Sequence, residues 1–153
     1  DAGKAMVIVV NKWDVVENKD EEMKKWIANI RANFQFIPYV NIVFLSAKTK
    51  SRIHTLMPEI IRAYESATKE IKTSVLNDII REAVAMHEPP SYKGKRLKIY
   101  FVNQCDTRPP KFEFQVNNKE LLHFSYERYL ENRIRNAFTL EGSPIQFILR
   151  ERK

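Results

Sequence analysis

Residues 5–14 read Ala-Met-Val-Ile-Val-Val-Asn-Lys-Trp-Asp, and residues 42–48 read Ile-Val-Phe-Leu-Ser-Ala-Lys. Each is a short apolar run that breaks abruptly into polar residues. Runs of this length and composition are the pattern of strands buried on both faces of a parallel sheet. Between them Met23, Trp26, Ile27, Ile30 and Phe34 recur at helical spacing behind the acidic start Asp20-Glu21-Glu22. Beyond them Ile53, Leu56, Met57, Ile60, Ile61 and Tyr64 form a second helical stripe. Strand, helix, strand, helix predicts a right-handed βαβα unit of the α/β class. Ligands of such sheets bind beyond the carboxyl ends of the strands. Asn11-Lys12-Trp13-Asp14 and Ser46-Ala47-Lys48 fall at those two ends.

The texture changes near residue 70. Val75, Leu76, Ile79, Ile80, Ala83 and Val84 mark a helix that must stop before Glu88-Pro89-Pro90. The basic loop Tyr92-Lys93-Gly94-Lys95-Arg96 leads into a strand over about 97–105, where Leu97, Ile99 and Phe101 alternate with Lys98, Tyr100 and Val102. Thr107-Arg108-Pro109-Pro110 is a turn, and Phe112, Phe114 and Val116 alternate with Glu113 and Gln115 in the returning strand. Ser125 reads as the cap of a helix over about 126–138, with Tyr126, Leu130, Ile134 and Phe138 as its inner stripe. A last strand holds Ile145, Phe147 and Leu149. The order α-β-β-α-β predicts an α+β domain with helices on one face of a three-stranded sheet. The chain reads as two domains, residues 1–70 and 71–153.

Composition excludes several classes of function. The 153 residues carry 26 Lys+Arg against 19 Asp+Glu, a net +7, and 15 of the basic but 10 of the acidic residues lie in 71–153. One cysteine rules out a disulfide framework and a Cys-built metal centre, and fits a reducing cytoplasmic compartment. His54, His87 and His123 show no ligand spacing, so no metal site is expected here. The apolar runs are too short to span a bilayer, and residues 1–5 are not the charged lead of a signal peptide, so no membrane partner is expected. Gly3, Gly94 and Gly142 are too scattered to build a Gly-rich phosphate loop or a G-x-x-G clamp. No catalytic residue is assigned.

The two strand-end loops suit guanine. An Asn-Lys-x-Asp tetrapeptide arises by chance in roughly 2% of chains this long, and its strand-end placement makes coincidence rarer still. A carboxylate only accepts, so Asp14 matches the paired donors of guanine, N1–H and the 2-amino group. Adenine lacks that pair and would leave Asp14 desolvated. Hydrogen bonds to a charged group contribute roughly 1.5–3 kcal/mol each, and a site built on them rejects the analogue by about 10⁴–10⁵. Asn11 would tie the loop to its neighbours, and Lys12 would lay its aliphatic stem along the base plane. Ala47 would offer its backbone N–H to guanine O6, with Ser46 and Lys48 shaping and covering the loop. An Asx turn at Asn11 and Asp14, with Ser46 capping a helix near Arg52, is the plainer alternative. It does not explain why both loops fall at one end of the sheet. Trp13 reads as packing rather than as a base stacker.

Asn11-Lys12-Trp13-Asp14 and Ser46-Ala47-Lys48 resemble the fourth and fifth guanine-nucleotide motifs of translation-factor-related GTPases. Arg52-Ile53-His54, Val75-Leu76-Asn77-Asp78, Arg96-Leu97-Lys98-Ile99-Tyr100 and especially His123-Phe124-Ser125-Tyr126-Glu127-Arg128-Tyr129-Leu130-Glu131-Asn132-Arg133-Ile134-Arg135 narrow the likeness. Together they are similar to the C-terminal part of the Der (EngA) family, bacterial GTPases with two tandem G domains and a KH-like domain. The resemblance runs from about residue 3 to the end. It implies the latter half of the second G domain followed by the KH-like domain, in a parent that binds GTP and GDP and hydrolyses GTP during large ribosomal subunit assembly. It also implies that the phosphate loop, the Mg²⁺-binding residue and the switch segments lie upstream of Asp1. Mg²⁺ then belongs with those segments, and this piece alone is expected to be inactive.

Where RNA-clamping KH domains carry G-x-x-G, the stretch Leu121-Leu122-His123-Phe124-Ser125 has no glycine. What remains is a basic surface: Lys93, Lys95, Arg96 and Lys98, then Arg128 and Arg135 one heptad apart, and Arg150, Arg152 and Lys153 at the end. Such a surface suits ribosomal RNA phosphates, and equally a solvated face or a docking face for the parent's own G domains. The alternative function is a basic RNA-binding or ribosome-docking module with vestigial nucleotide motifs. His87 and His123 read as a helix-end residue and a packed loop residue, and Cys105 as a buried strand residue. Two parallel strands cannot make an independent sheet, so upstream residues, a proteolytic companion or another copy is expected to cover them.

Overall fold

The computed structural model describes residues 2–152, which form two compact units. One comprises residues 2–67 together with Leu140–Pro144, and the other comprises Thr68–Thr139 together with residues 145–152.

The first unit holds β1 (Val7–Val10), a 3₁₀ turn (Trp13–Val15), α1 (Lys19–Asn33), β2 (Asn41–Phe44), a second 3₁₀ turn (Ile53–Thr55) and the body of α2 (Leu56–Thr68). β1 and β2 pair in parallel from Val7 opposite Asn41 to Val10 opposite Phe44. Val40, Val43, Phe44, Leu45, Trp13 and Ile30 are buried around them.

The helix faces differ from the expected stripes. On α1 only Ile30 is buried, whereas Trp26, Ile27 and Phe34 are exposed. On α2 and the turn before it the small residues Ala63, Ser66 and Ala67 are buried, while Ile53, Met57, Ile60, Ile61 and Tyr64 are exposed. Val9, expected to be covered on its own face, is 43% exposed. A two-stranded sheet offers too little area to cover every apolar stripe packed around it.

Leu140–Pro144 completes this unit at the starting ends of both strands. Gly142 accepts from the Met6 N–H at 2.7 Å and donates its own N–H to the Tyr39 carbonyl at 2.7 Å. Gly142 has φ +80°, and a Cβ there would lie 2.6 Å from the Ala63 Cβ, so both backbone and space require glycine. The units are therefore interleaved, where the sequence reading runs them end to end.

The second unit holds α3 (Thr73–Met86), β3 (Ser91–Tyr92), β4 (Lys95–Arg96), β5 (Ile99–Asp106), β6 (Lys111–Val116), a 3₁₀ turn (Lys119–Leu121), α4 (Phe124–Phe138) and β7 (Gln146–Glu151). The sheet order is β5-β6-β7, with β6 antiparallel to β5 and parallel to β7. α3 packs on both β5 and α4. Leu76, Ile80 and Ala83 of α3, Val102, Phe112, Phe114 and Val116 of the sheet, and Leu130 and Ile134 of α4 form the core. The Asn77 side chain of α3 donates to the Val102 carbonyl at 2.7 Å and accepts from the Val102 N–H at 3.0 Å. It thereby satisfies the outward backbone of the edge strand β5.

Four local expectations change. A register shift between Ile99 and Phe101 reverses the alternation in β5, so Val102 is buried and Phe101 is 39% exposed. Helix α4 begins at Phe124 with His123 in the cap position, so Ser125 is inside the helix and caps nothing. Cys105 is exposed, beside a second register shift between Gln104 and Asp106 that breaks the regular pleat. The basic loop is a hairpin of β3 and β4, whose turn residues Lys93 and Gly94 both have positive φ, as a two-residue type I′ turn requires.

Candidate guanine site and basic surface

Parallel pairing delivers residues 11–14 and 46–48 side by side. The ladder runs past both strands, with Leu45 N–H donating to the Val10 carbonyl at 3.0 Å and Trp13 N–H to the Leu45 carbonyl at 3.1 Å. Lys12 is in the left-handed region, φ 61° and ψ 32°, which turns the chain so that Trp13 points inward while Asn11 and Lys12 stay exposed. Trp13 is 2% exposed with its ring 4.7 Å from that of Phe44, so it anchors the loop from below. Ser46 is fully buried. Its N–H donates to the Ser51 carbonyl, its Oγ accepts from Thr49 N–H at 3.2 Å, and the hydroxyl donates to Asp14 Oδ1 at 2.6 Å. Asn11 Oδ1 accepts from Lys12 N–H at 2.7 Å and from Ala47 N–H at 3.1 Å, bridging the two loops.

Asn11, Lys12, Asp14, Ser46, Ala47 and Lys48 therefore form one constellation, with Ser46 and Trp13 beneath and exposed Asn11, Lys12, Ala47 and Lys48 above. The Ser46 hydroxyl holds the Asp14 carboxyl below the ordinary carboxylate range, helped by the Asp14 backbone N–H and the charges of Lys48 and Lys19 and opposed by desolvation. Asp14 is thus an acceptor at neutral pH. Ser46 organises its own loop and does not cap a helix, since α2 starts only at Leu56. The Ala47 N–H assigned to guanine O6 is here given to Asn11, so an arriving carbonyl must share or take that donor. Thr49, Ser51 and Arg52, whose Nε donates to the Phe44 carbonyl at 3.1 Å, complete the loop. The polar run Thr49–Ser51 directly after Lys48 was the sequence signal for them. Among the described residues no group of three or more His, Cys, Asp or Glu could hold a metal ion, and no helix is long and apolar enough to cross a membrane.

A family profile described as the C-terminal KH-domain-like region of EngA bacterial GTPase enzymes matches residues 70–150. The chain belongs to the EngA (Der) family. The protein called GTPase Der in Oceanobacillus iheyensis is 55% identical over all 153 residues, and that of Streptococcus agalactiae serotype III is 51% identical over the same length. The chain spans 35% of each, about a third of the length of the curated relatives it matches.

The residues expected to form the basic surface fall in the EngA-type KH-like unit, except Lys153, which lies outside the described residues. Lys93, Lys95 and Arg96 are exposed on the β3–β4 hairpin, where Arg96 pairs with Glu88, and Lys98 is exposed just beyond buried Leu97. Arg128 is exposed on α4 with its guanidinium 5.6 Å from the Phe124 ring. Seven residues bring Arg135 back to nearly the same helix face as Arg128. Its side chain is only 16% exposed and is bonded to Glu131 at 3.1 Å, so it is less open than Arg128.

Proposed function

We propose that residues 1–70, whose compact unit Leu140–Pro144 completes, are the guanine-recognition half of a G domain, and that the rest of residues 71–153 is a KH-like ribosome-contact module. The parent is a cytoplasmic factor that binds and hydrolyses GTP during large ribosomal subunit assembly. One observation carries the base assignment: the Asp14 carboxylate is fixed by the buried Ser46 hydroxyl at 2.6 Å, beside the Ala47 N–H. Asp14 takes the N1–H and 2-amino donors, Lys12 covers the base, Asn11 and Ser46 hold the two loops, and Lys48 lowers the charge cost of the carboxylate. Phosphoryl transfer and Mg²⁺ binding belong to segments outside these residues, because no phosphate cradle occurs among them.

Nucleotide titration of the full-length protein tests this. Asp14→Ala abolishes the preference for GTP over ATP, and an unaltered preference refutes the assignment. Asp14→Asn replaces one acceptor oxygen by a donor, so affinity moves from guanine toward xanthine nucleotides, whose C2 bears a carbonyl. For the RNA role, affinity for ribosomal RNA falls steeply with salt. A salt-insensitive affinity rejects phosphate contact.

A further inference from the structure

A row of aromatic side chains in the KH-like unit plays no part in the guanine site. Tyr92 on the hairpin is 50% exposed, and its ring meets that of His123 edge-on at 5.6 Å. His123 directly precedes Phe124, which is 73% exposed at the start of α4. Each end of the row carries a cation: Lys93 Nζ is 5.3 Å from the Tyr92 ring centre, and the Arg128 guanidinium is 5.6 Å from that of Phe124. At the hairpin tip a Cβ on Gly94 would meet nothing within 4 Å, so the turn between exposed Lys93 and Lys95 projects freely.

His123 is half-buried, but burial does not account for the exposed rings of Tyr92 and Phe124. A phenyl ring so exposed contributes little to its own fold, and cations over exposed rings contribute only about 0.5–1 kcal/mol. The row matches a ligand that alternates flat apolar faces with negative charge. Unpaired nucleotides do so, since bases stack on aromatic rings and phosphates meet Lys and Arg. A duplex presents the phosphates but hides the base faces.

We infer that Tyr92, His123 and Phe124, flanked by Lys93 and Arg128, are a stacking platform for unpaired RNA nucleotides. This rests on the RNA-contact reading of the KH-like unit and narrows it to single-stranded segments. Stacking here takes the place of the backbone clamp that the glycine-free stretch before Tyr126 cannot form.

The test titrates the full chain into an oligoadenylate carrying 2-aminopurine and into an RNA duplex with the same number of phosphates. Binding of the single strand quenches the 2-aminopurine. Phe124→Ala and Tyr92→Ala each weaken single-strand binding about ten-fold and leave duplex affinity and the salt slope unchanged. Phe124→Leu, which keeps apolar bulk without a ring, behaves like Phe124→Ala, and circular dichroism verifies that each variant is folded. Undiminished single-strand affinity in these variants overturns the platform, while salt-dependent binding by the unsubstituted chain still upholds phosphate contact. Failure of the unsubstituted chain to bind either RNA at low salt overturns both.

Discussion

A single buried hydroxyl sets both the aim and the charge state of Asp14. Ser46→Ala removes the donor at 2.6 Å, so the Asp14 carboxyl returns toward its ordinary range and its orientation loosens. The expected result is about a ten-fold loss of guanine-nucleotide affinity, the scale of one hydrogen bond to a charged group, read by nucleotide titration. The sign of the pH dependence follows from the same bond. The folded pKa of Asp14 is below 3.8, so its stabilisation is complete above that value and is lost as pH falls through the lower folded value. Preference for GTP over ATP therefore stays flat from neutrality to about pH 5, well above the carboxylate range. Tyr126 titrates in the opposite sense. Burial, then Tyr129 and Glu88, push its phenol up to about 12, and its hydroxyl donates to the His87 carbonyl at 2.9 Å. Its stabilising effect is complete below the ordinary value of 10.0 and is lost as pH rises toward 12, visible as one tyrosine lagging in phenolate absorbance. The sequence placed Asp14 and Ser46 in loops at neighbouring strand ends, but neither the Ser46 bond to Asp14 nor the Asn11 bond to Ala47 was legible there, since they join residues 32 and 36 positions apart.

Among the elements, the central strand was read correctly and the edge strand was not. Phe112, Phe114 and Val116 of β6 are all at most 1% exposed, in the phase their alternation predicts. β6 has a neighbour on each side and its pleat is held on both edges. β5 is held on one edge only, and its bulge exchanges the inward residues between Leu97 and Val102. Its free edge is satisfied instead by Asn77, a polar residue in the apolar stripe of α3. Asn77→Leu keeps the volume but strands both backbone groups of Val102, which costs about 2–5 kcal/mol. Denaturant unfolding of the full chain measures it, and a cost below about 0.5 kcal/mol, the size of an ordinary surface substitution, would remove Asn77 from this role.

For the molecule as a whole, five residues decide where one compact unit ends. Leu140–Pro144 lies between α4 and β7 in sequence yet completes the unit built around β1 and β2. Gly142→Ala would force a Cβ against Ala63 at a positive φ, costing about 2–4 kcal/mol. Met6 amide exchange should accelerate in that variant, because its N–H donates to Gly142. Exchange no faster than in the parent sequence would show the clamp to be dispensable. By itself the sequence determined the longer strands and helices, the placement of both loops at strand ends, the acceptor chemistry of Asp14 and the concentration of positive charge in the second half. These follow from local periodicity, backbone restrictions and residue chemistry, which neighbours within a few positions express. Only the tertiary structure decided which helix faces are covered, the phase of β5, the membership of Leu140–Pro144 and the alignment of Tyr92, His123 and Phe124. Those depend on how much area distant segments offer one another, and a local pattern carries no record of that area.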